Sequence, residues 1–149
     1  MNIDDFKALA CETGACWKCR EFTDGGVRVV LGAGWCAFML DEHCTNKHGC
    51  VGAKHRKGEM CDAIGVHEQD NNDRFRIIEA KRGGVASKAM IQLQHGADYL
   101  DAAIGPAVKA RFTAELHTGP GPASTARAFN SIEIRSRKLR VPVAIRQGS

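Results

Sequence analysis

Residues 61–100 read CDAIGVHEQDNNDRFRIIEAKRGGVASKAMIQLQHGADYL, and this stretch decides the fold. Cys61 to His67 is a strand candidate, and Glu68 to Asp73 (EQDNND) is a run of turn formers. Phe75 to Lys81 is a second strand candidate, broken by Gly83 and Gly84. The two strands are expected to form an antiparallel hairpin. From Ala86 to Ile104 the period changes. Ala86, Met90, Leu93, Ala97, Leu100 and Ile104 recur at three- and four-residue steps, the mark of an amphipathic helix. Gly105-Pro106 ends it.

Downstream, Val108 to Leu116 alternates apolar and polar residues, as a half-buried strand does. Ser131 to Ile134 and Leu139 to Ile145 are further strand candidates. Upstream, Asp4 to Cys11 is expected to be a short helix with Asp5 as N-cap. Arg20 to Thr23 and Val27 to Leu31 are expected to form a hairpin through Asp24-Gly25-Gly26. Composition shifts near Cys50, with six of the seven cysteines before Val51. The chain therefore divides into a Cys-rich hairpin section, 1–49, and a second section, 50–149. The order strand, strand, helix, strand predicts an α/β (α+β) fold with a mixed central sheet flanked by helices.

The 149 residues suit one domain, or one domain with an appendage. Apolar residues make up 44%, enough for an ordinary core. Lys plus Arg number 21 against 17 Asp plus Glu, a net charge of +4, which permits a polyanionic partner without requiring one. The bases gather at Lys54 to Lys57, at Lys81-Arg82 and at Arg135 to Arg140. The acidic amino-terminus carries no apolar signal region, and the uncharged run Val29 to Leu40 is too short to span a bilayer. A cytoplasmic protein is expected, and in that compartment seven cysteines do not suggest a disulfide framework.

The second strand ends in Glu79-Ala80-Lys81. Glu79 and Lys81 share a face, because strand side chains repeat every two residues. A turn centred between Asn71 and Asn72 sets Asp62 opposite Lys81, on the same face. An isolated Glu-x-Lys is ordinarily a surface ion pair. With Asp62 beside it, the patch holds hard oxygen donors for Mg²⁺ (or Mn²⁺) and a lysine to orient water or offset phosphate charge.

Cys61 to Leu100 resembles the core of the PD-(D/E)XK nuclease superfamily. More narrowly, it is similar to small members that read Cys-Asp-hydrophobic, a hairpin, Glu-hydrophobic-Lys-Gly, then a helix with Ala-x-x-Gln. Asp62, Glu79 and Lys81 match the motif acids and lysine, and Gln92 in Ala89-Met90-Ile91-Gln92 matches the helix glutamine. Cys61 stands where many members have proline, Arg82 replaces the glycine after the lysine, and Ala63 stands where Phe or Tyr is common. The resemblance implies a restriction-endonuclease-like core in which Asp62, Glu79 and the Ala80 carbonyl hold Mg²⁺. It implies that Lys81 positions the attacking water and Gln92 bonds the lysine or the water. An acid from an earlier helix often completes such sites, and Glu42 and Glu59 are the candidates.

Cys16-Trp17-Lys18-Cys19 has the spacing of a zinc knuckle, with Cys36 and Cys44 among the candidates for the remaining ligands. The alternative is buried free thiols. Cys61 is expected to face the core. Once a phosphodiester substrate is in view, Arg82, Lys109, Arg111 and Arg137 become candidate phosphate contacts. The expected function is a Mg²⁺-dependent nuclease acting on DNA rather than RNA. The alternatives are a non-catalytic zinc-bearing adaptor for nucleic acid or protein, and a toxin-like or tRNA-directed nuclease on the same core. The small size of the core suggests a homodimer or a helper protein.

Overall fold

The computed structural model describes residues 1–11, 14–41, 59–68, 73–82, 86–119 and 130–147. Asn2, not Asp5, caps the first helix, α1 (Ile3–Leu9). The Asn2 side chain accepts the Asp5 N–H at 2.9 Å, and the Asp5 carboxylate accepts the Asn2 N–H at 3.2 Å. Asp5 thus closes a capping box from the third helical position. Phe6 on α1 is fully buried against Trp17, Phe38 and Phe75.

Four short strands follow: β1 (Trp17–Cys19), β2 (Glu21–Asp24), β3 (Val27–Val30) and β4 (Trp35–Phe38). β2 and β3 form the expected hairpin, Asp24 opposite Val27. Its two-residue loop, Gly25-Gly26, has φ of +55° and +81°, which side-chain-bearing residues rarely adopt. This hairpin is a sheet of its own. β1 and β4 instead join the main sheet, so residues on both sides of Cys50 lie in one ladder.

The main sheet continues with β5 (Ala63–His67) and β6 (Arg74–Lys81), antiparallel as expected. The register differs from the expected one by two residues: Ala63 opposes Ile78, not Ala80. A shift of two leaves every side chain on the face it was assigned, whereas a shift of one would have inverted them all. Helix α2 (Ala86–Ile104) has the expected bounds. It crosses over to β7 (Arg111–Thr118), which pairs parallel with β6. β8 (Ser131–Ile134) and β9 (Leu139–Gln147) complete a seven-stranded order β1-β4-β5-β6-β7-β9-β8. The fold is α+β: a mixed central sheet with two helices among the described residues.

Each face of the sheet has its own core. On one, α1 and α2 cover Phe38, Ile64, Phe75, Ile77, Ala114 and Leu116. On the other, the β2–β3 hairpin contributes Phe22, Val27 and Val29 to a cluster with Ala37, Ala63 and Ile78. Helix α2 approaches the sheet closely at Gly96, where an added Cβ would lie 2.3 Å from the Cys61 sulfur. Cys61 does face the core.

β7 departs from the half-buried pattern. Ala114 to His117 are all buried, because this inner strand is covered on both faces. On the hairpin side, Glu115 accepts two hydrogen bonds from Arg76, at 2.6 and 2.7 Å, and lies 2.9 Å from His117 Nε2. Arg76 also donates to the Leu31 carbonyl at 2.8 Å and lies over the Trp35 ring. At the far edge, Gln94 of α2 bonds both the N–H and the carbonyl of Glu133, covering the open ladder of β8.

Candidate active site

The site lies where β5 begins and β6 ends. Continuing the observed register by one residue sets Asp62 opposite Glu79. The Ala80 N–H donates to Asp62 Oδ2 at 2.6 Å, pinning the first carboxyl to the second strand. Glu79 is 1% exposed and Asp62 7%. Lys81 Nζ lies 3.5 Å from Glu79 Oε2, with its side chain partly open to solvent. The sequence-predicted trio of Asp62, Glu79 and Lys81 therefore meets.

Gln92 is buried on the sheet-facing side of α2. Gly96, one turn later, packs on Ile77. One helical turn is about 5.4 Å, close to the roughly 6.6 Å that two residues of β6 span. Because α2 returns between parallel strands, it runs against β6, which sets Gln92 at the level of Glu79.

Two acids that the motif does not include complete the surroundings. Asp24, at the end of β2, hydrogen-bonds to the Asp62 carboxyl. Asp41 acts on Glu79 through space, and Leu40 beside it donates its N–H to the Asp62 carbonyl at 2.9 Å. Asp24 reads in the sequence only as a turn former, and Asp41 carries no motif signal. Of the acids expected to complete the site, Glu42 lies outside the described residues. Glu59 is exposed, and its carbonyl meets His95 Nδ1 at 2.6 Å.

Burial pushes the Asp62 carboxyl up to about 11, helped by its hydrogen bonds to Asp24 and Glu79 and by the Glu79 charge. Burial also raises Glu79, against the pull of the Asp62 hydrogen bond and the Lys81 charge. Physically, the two carboxyls titrate as a pair and share a proton. Two adjoining buried carboxylates ionise together only when a cation joins them. The donor set is hard oxygen, which fits Mg²⁺ or Mn²⁺.

The candidate phosphate contacts scatter. Arg82 is exposed at the end of β6, with its guanidinium against the Gly25-Gly26 turn that follows Asp24. Arg111 opposes Arg74 at the other end of β7, seven residues from Thr118, the partner of Lys81. That is about 23 Å away at strand spacing, and Lys109 is farther still. Arg137 is half-buried, donating to the Gly105 carbonyl at 2.8 Å and stacked on Phe112, so it clasps the end of α2. Arg135 pairs with Asp98 and Arg140 lies near Glu133. Lys54 to Lys57 lie outside the described residues.

The cysteines do not assemble as the knuckle spacing suggested. Cys19 and Cys36 are joined in a disulfide. Cys16 is buried in the core, its sulfur 3.4 Å from that of Cys11. Cys44 lies outside the described residues. The reason is tertiary: β1 and β4 pair with Cys19 directly opposite Cys36, which joins sulfurs that are 17 positions apart.

No helix among the described residues is long and apolar enough to cross a membrane. No family model, no curated protein and no solved structure matches this chain.

Proposed function

We propose that this chain is a metal-dependent nuclease of PD-(D/E)XK type that hydrolyses phosphodiester bonds, with DNA as its substrate class. The observation that carries the reading is the buried Asp62–Glu79 carboxyl pair with Lys81 at its solvent side. An ordinary surface ion pair would be open to water and would not hold two acids together out of it. Asp24 and Asp41 deepen the negative potential around the pair and favour a divalent over a monovalent ion.

Asp62, Glu79 and the Ala80 carbonyl would hold Mg²⁺ or Mn²⁺. When bound, the ion would lower the pKa of a coordinated water and offset charge on the phosphate. Lys81 orients the water and steadies the added negative charge on phosphorus. Gln92 supplies an amide at the level of Glu79. Arg82 is exposed beside the site and meets a backbone phosphate.

Incubation with plasmid, single-stranded DNA and tRNA, in Mg²⁺ and in EDTA, tests the reading. Cleavage by the wild type in Mg²⁺, lost in EDTA and in Lys81→Ala, is expected. Equal behaviour of wild type and Lys81→Ala on all three substrates would refute it. Cleavage confined to tRNA would move the substrate class to RNA on the same core.

A further inference from the structure

We infer that Cys19, Cys36 and Glu68 form a second, redox-gated site for a thiophilic divalent cation of the zinc type. The site is remote from the candidate active site. Glu68 follows β5 directly, six residues from Asp62, about 20 Å at strand spacing. The inference does not depend on the nuclease reading.

The geometry has three parts. Cys19 on edge strand β1 and Cys36 on β4 oppose each other, so their sulfurs project on one face. Glu68 is anchored by its main chain, its N–H donating to the Gly34 carbonyl at 2.6 Å. That anchor brings Glu68 Oε1 to 3.1 Å from the Cys36 sulfur and 3.9 Å from the Cys19 sulfur. The donor atoms of all three residues lie within 4.8 Å of one another.

A carboxylate against a disulfide sulfur has no proton to share there. Against two thiols it has two, and against two thiolates it needs a cation. Tetrahedral coordination at the usual zinc–sulfur length separates two thiolates by about 3.7 Å. Side-chain rotation alone reaches that spacing once the S–S bond is open. The carboxylate is the third ligand, and water on the exposed side is the fourth. This set replaces the Cys16-Cys19 knuckle, because Cys16 is turned into the core.

The chemistry balances with a dithiol reductant. It delivers two electrons and two protons to the S–S bond, giving two thiols here and one disulfide on the reductant. Cation binding then releases both thiol protons to solvent. Edge strand β1 is tied to β4 covalently in the oxidised chain and through the metal in the reduced one. The reduced, metal-free chain keeps the three-pair ladder between the two strands but loses the covalent tie.

The test uses the full chain, reduced with a phosphine that does not bind metal, and titrated with Co²⁺ as a spectroscopic stand-in for Zn²⁺. A thiolate-to-cobalt charge-transfer band is expected in the reduced wild type and not in the oxidised protein. Glu68→Gln should weaken Co²⁺ binding by about tenfold or more. The pair Cys19→Ser with Cys36→Ser should lose the band. A band of unchanged intensity in that double variant would overturn the assignment, as would reduced wild type that takes up no Co²⁺. Should the double variant fail to fold, alkylation of the reduced wild type decides. Zn²⁺ is expected to shield Cys19 and Cys36 from a thiol reagent, and equal labelling with and without Zn²⁺ overturns the proposal.

Discussion

Replacing Glu115 by glutamine isolates the buried charge that pins the hairpin side of the sheet. Burial by itself would raise this carboxyl, but the Arg76 and His117 hydrogen bonds and charges outweigh it and bring it to about 2, from an ordinary 4.5. A carboxyl lowered on folding stabilises the fold above its unfolded value, and that contribution is lost as the pH falls through the folded value. At about 1.4 kcal/mol per pH unit, the gap is worth about 3 kcal/mol at pH 7 and about half that at pH 3. Glu115→Gln removes it and leaves the Arg76 guanidinium largely buried, with the Leu31 carbonyl as its remaining strong acceptor. Breaking such a pair costs about 3–5 kcal/mol, so the variant should unfold at a midpoint lower by roughly 6–20 °C. Thermal unfolding followed by tryptophan fluorescence suits the assay, because Trp35 stacks on Arg76. The deficit of the variant should shrink by about half between pH 7 and pH 3. A deficit of the same size at both pH values would place the loss in packing and refute the electrostatic account.

Asp62→Asn mimics the protonated acid. The raised Asp62 contributes stability that is present below its ordinary 3.8 and lost as pH rises through about 11. In EDTA, wild-type stability should therefore fall with rising pH by up to about 1.4 kcal/mol per unit, and the Asn variant should lack that slope; equal slopes in thermal unfolding at pH 6 and 9 would contradict it. The same variant should cleave no substrate. Lys81→Ala should lower the cleavage rate in Mg²⁺ by about 10²–10⁴-fold, with circular dichroism unchanged. Gly96→Ala forces a methyl to within 2.3 Å of the Cys61 sulfur and should cost about 1–3 kcal/mol. Adding Cys61→Ala should restore most of that loss, and a strictly additive double variant would show that the contact is not the cause.

The residues around the site show how far local pattern reaches. Asp62, Glu79 and Lys81 were legible because a two-residue strand period and one turn suffice to bring them to one face. Even a register displaced by two kept that face. Gln92 was legible as a helix position, but its burial follows from the closeness of α2 to the sheet at Gly96. Asp24 and Asp41 were not legible. Asp24 reaches Asp62 because a separate hairpin folds over the sheet, and Asp41 nears Glu79 because Leu40 bonds across to Asp62. Lys109 and Arg111 were candidate phosphate contacts by charge alone. The parallel pairing of β7 sends its start to the opposite end.

By itself, the sequence determined what lies within one element or one turn: the β5–β6 hairpin, the bounds of α2, the Gly-Gly loop, and the strands β8 and β9. Side-chain periodicity and turn chemistry are local, and adjacent residues carry them. Tertiary structure alone decided that β1 and β4 enter the main sheet, that Cys19 meets Cys36 rather than Cys16, and that Glu115 shares its burial with Arg76. Those outcomes depend on which faces pack together. A contact between residues far apart in the chain leaves no period in either segment, and only the packing of both faces of the sheet selects it.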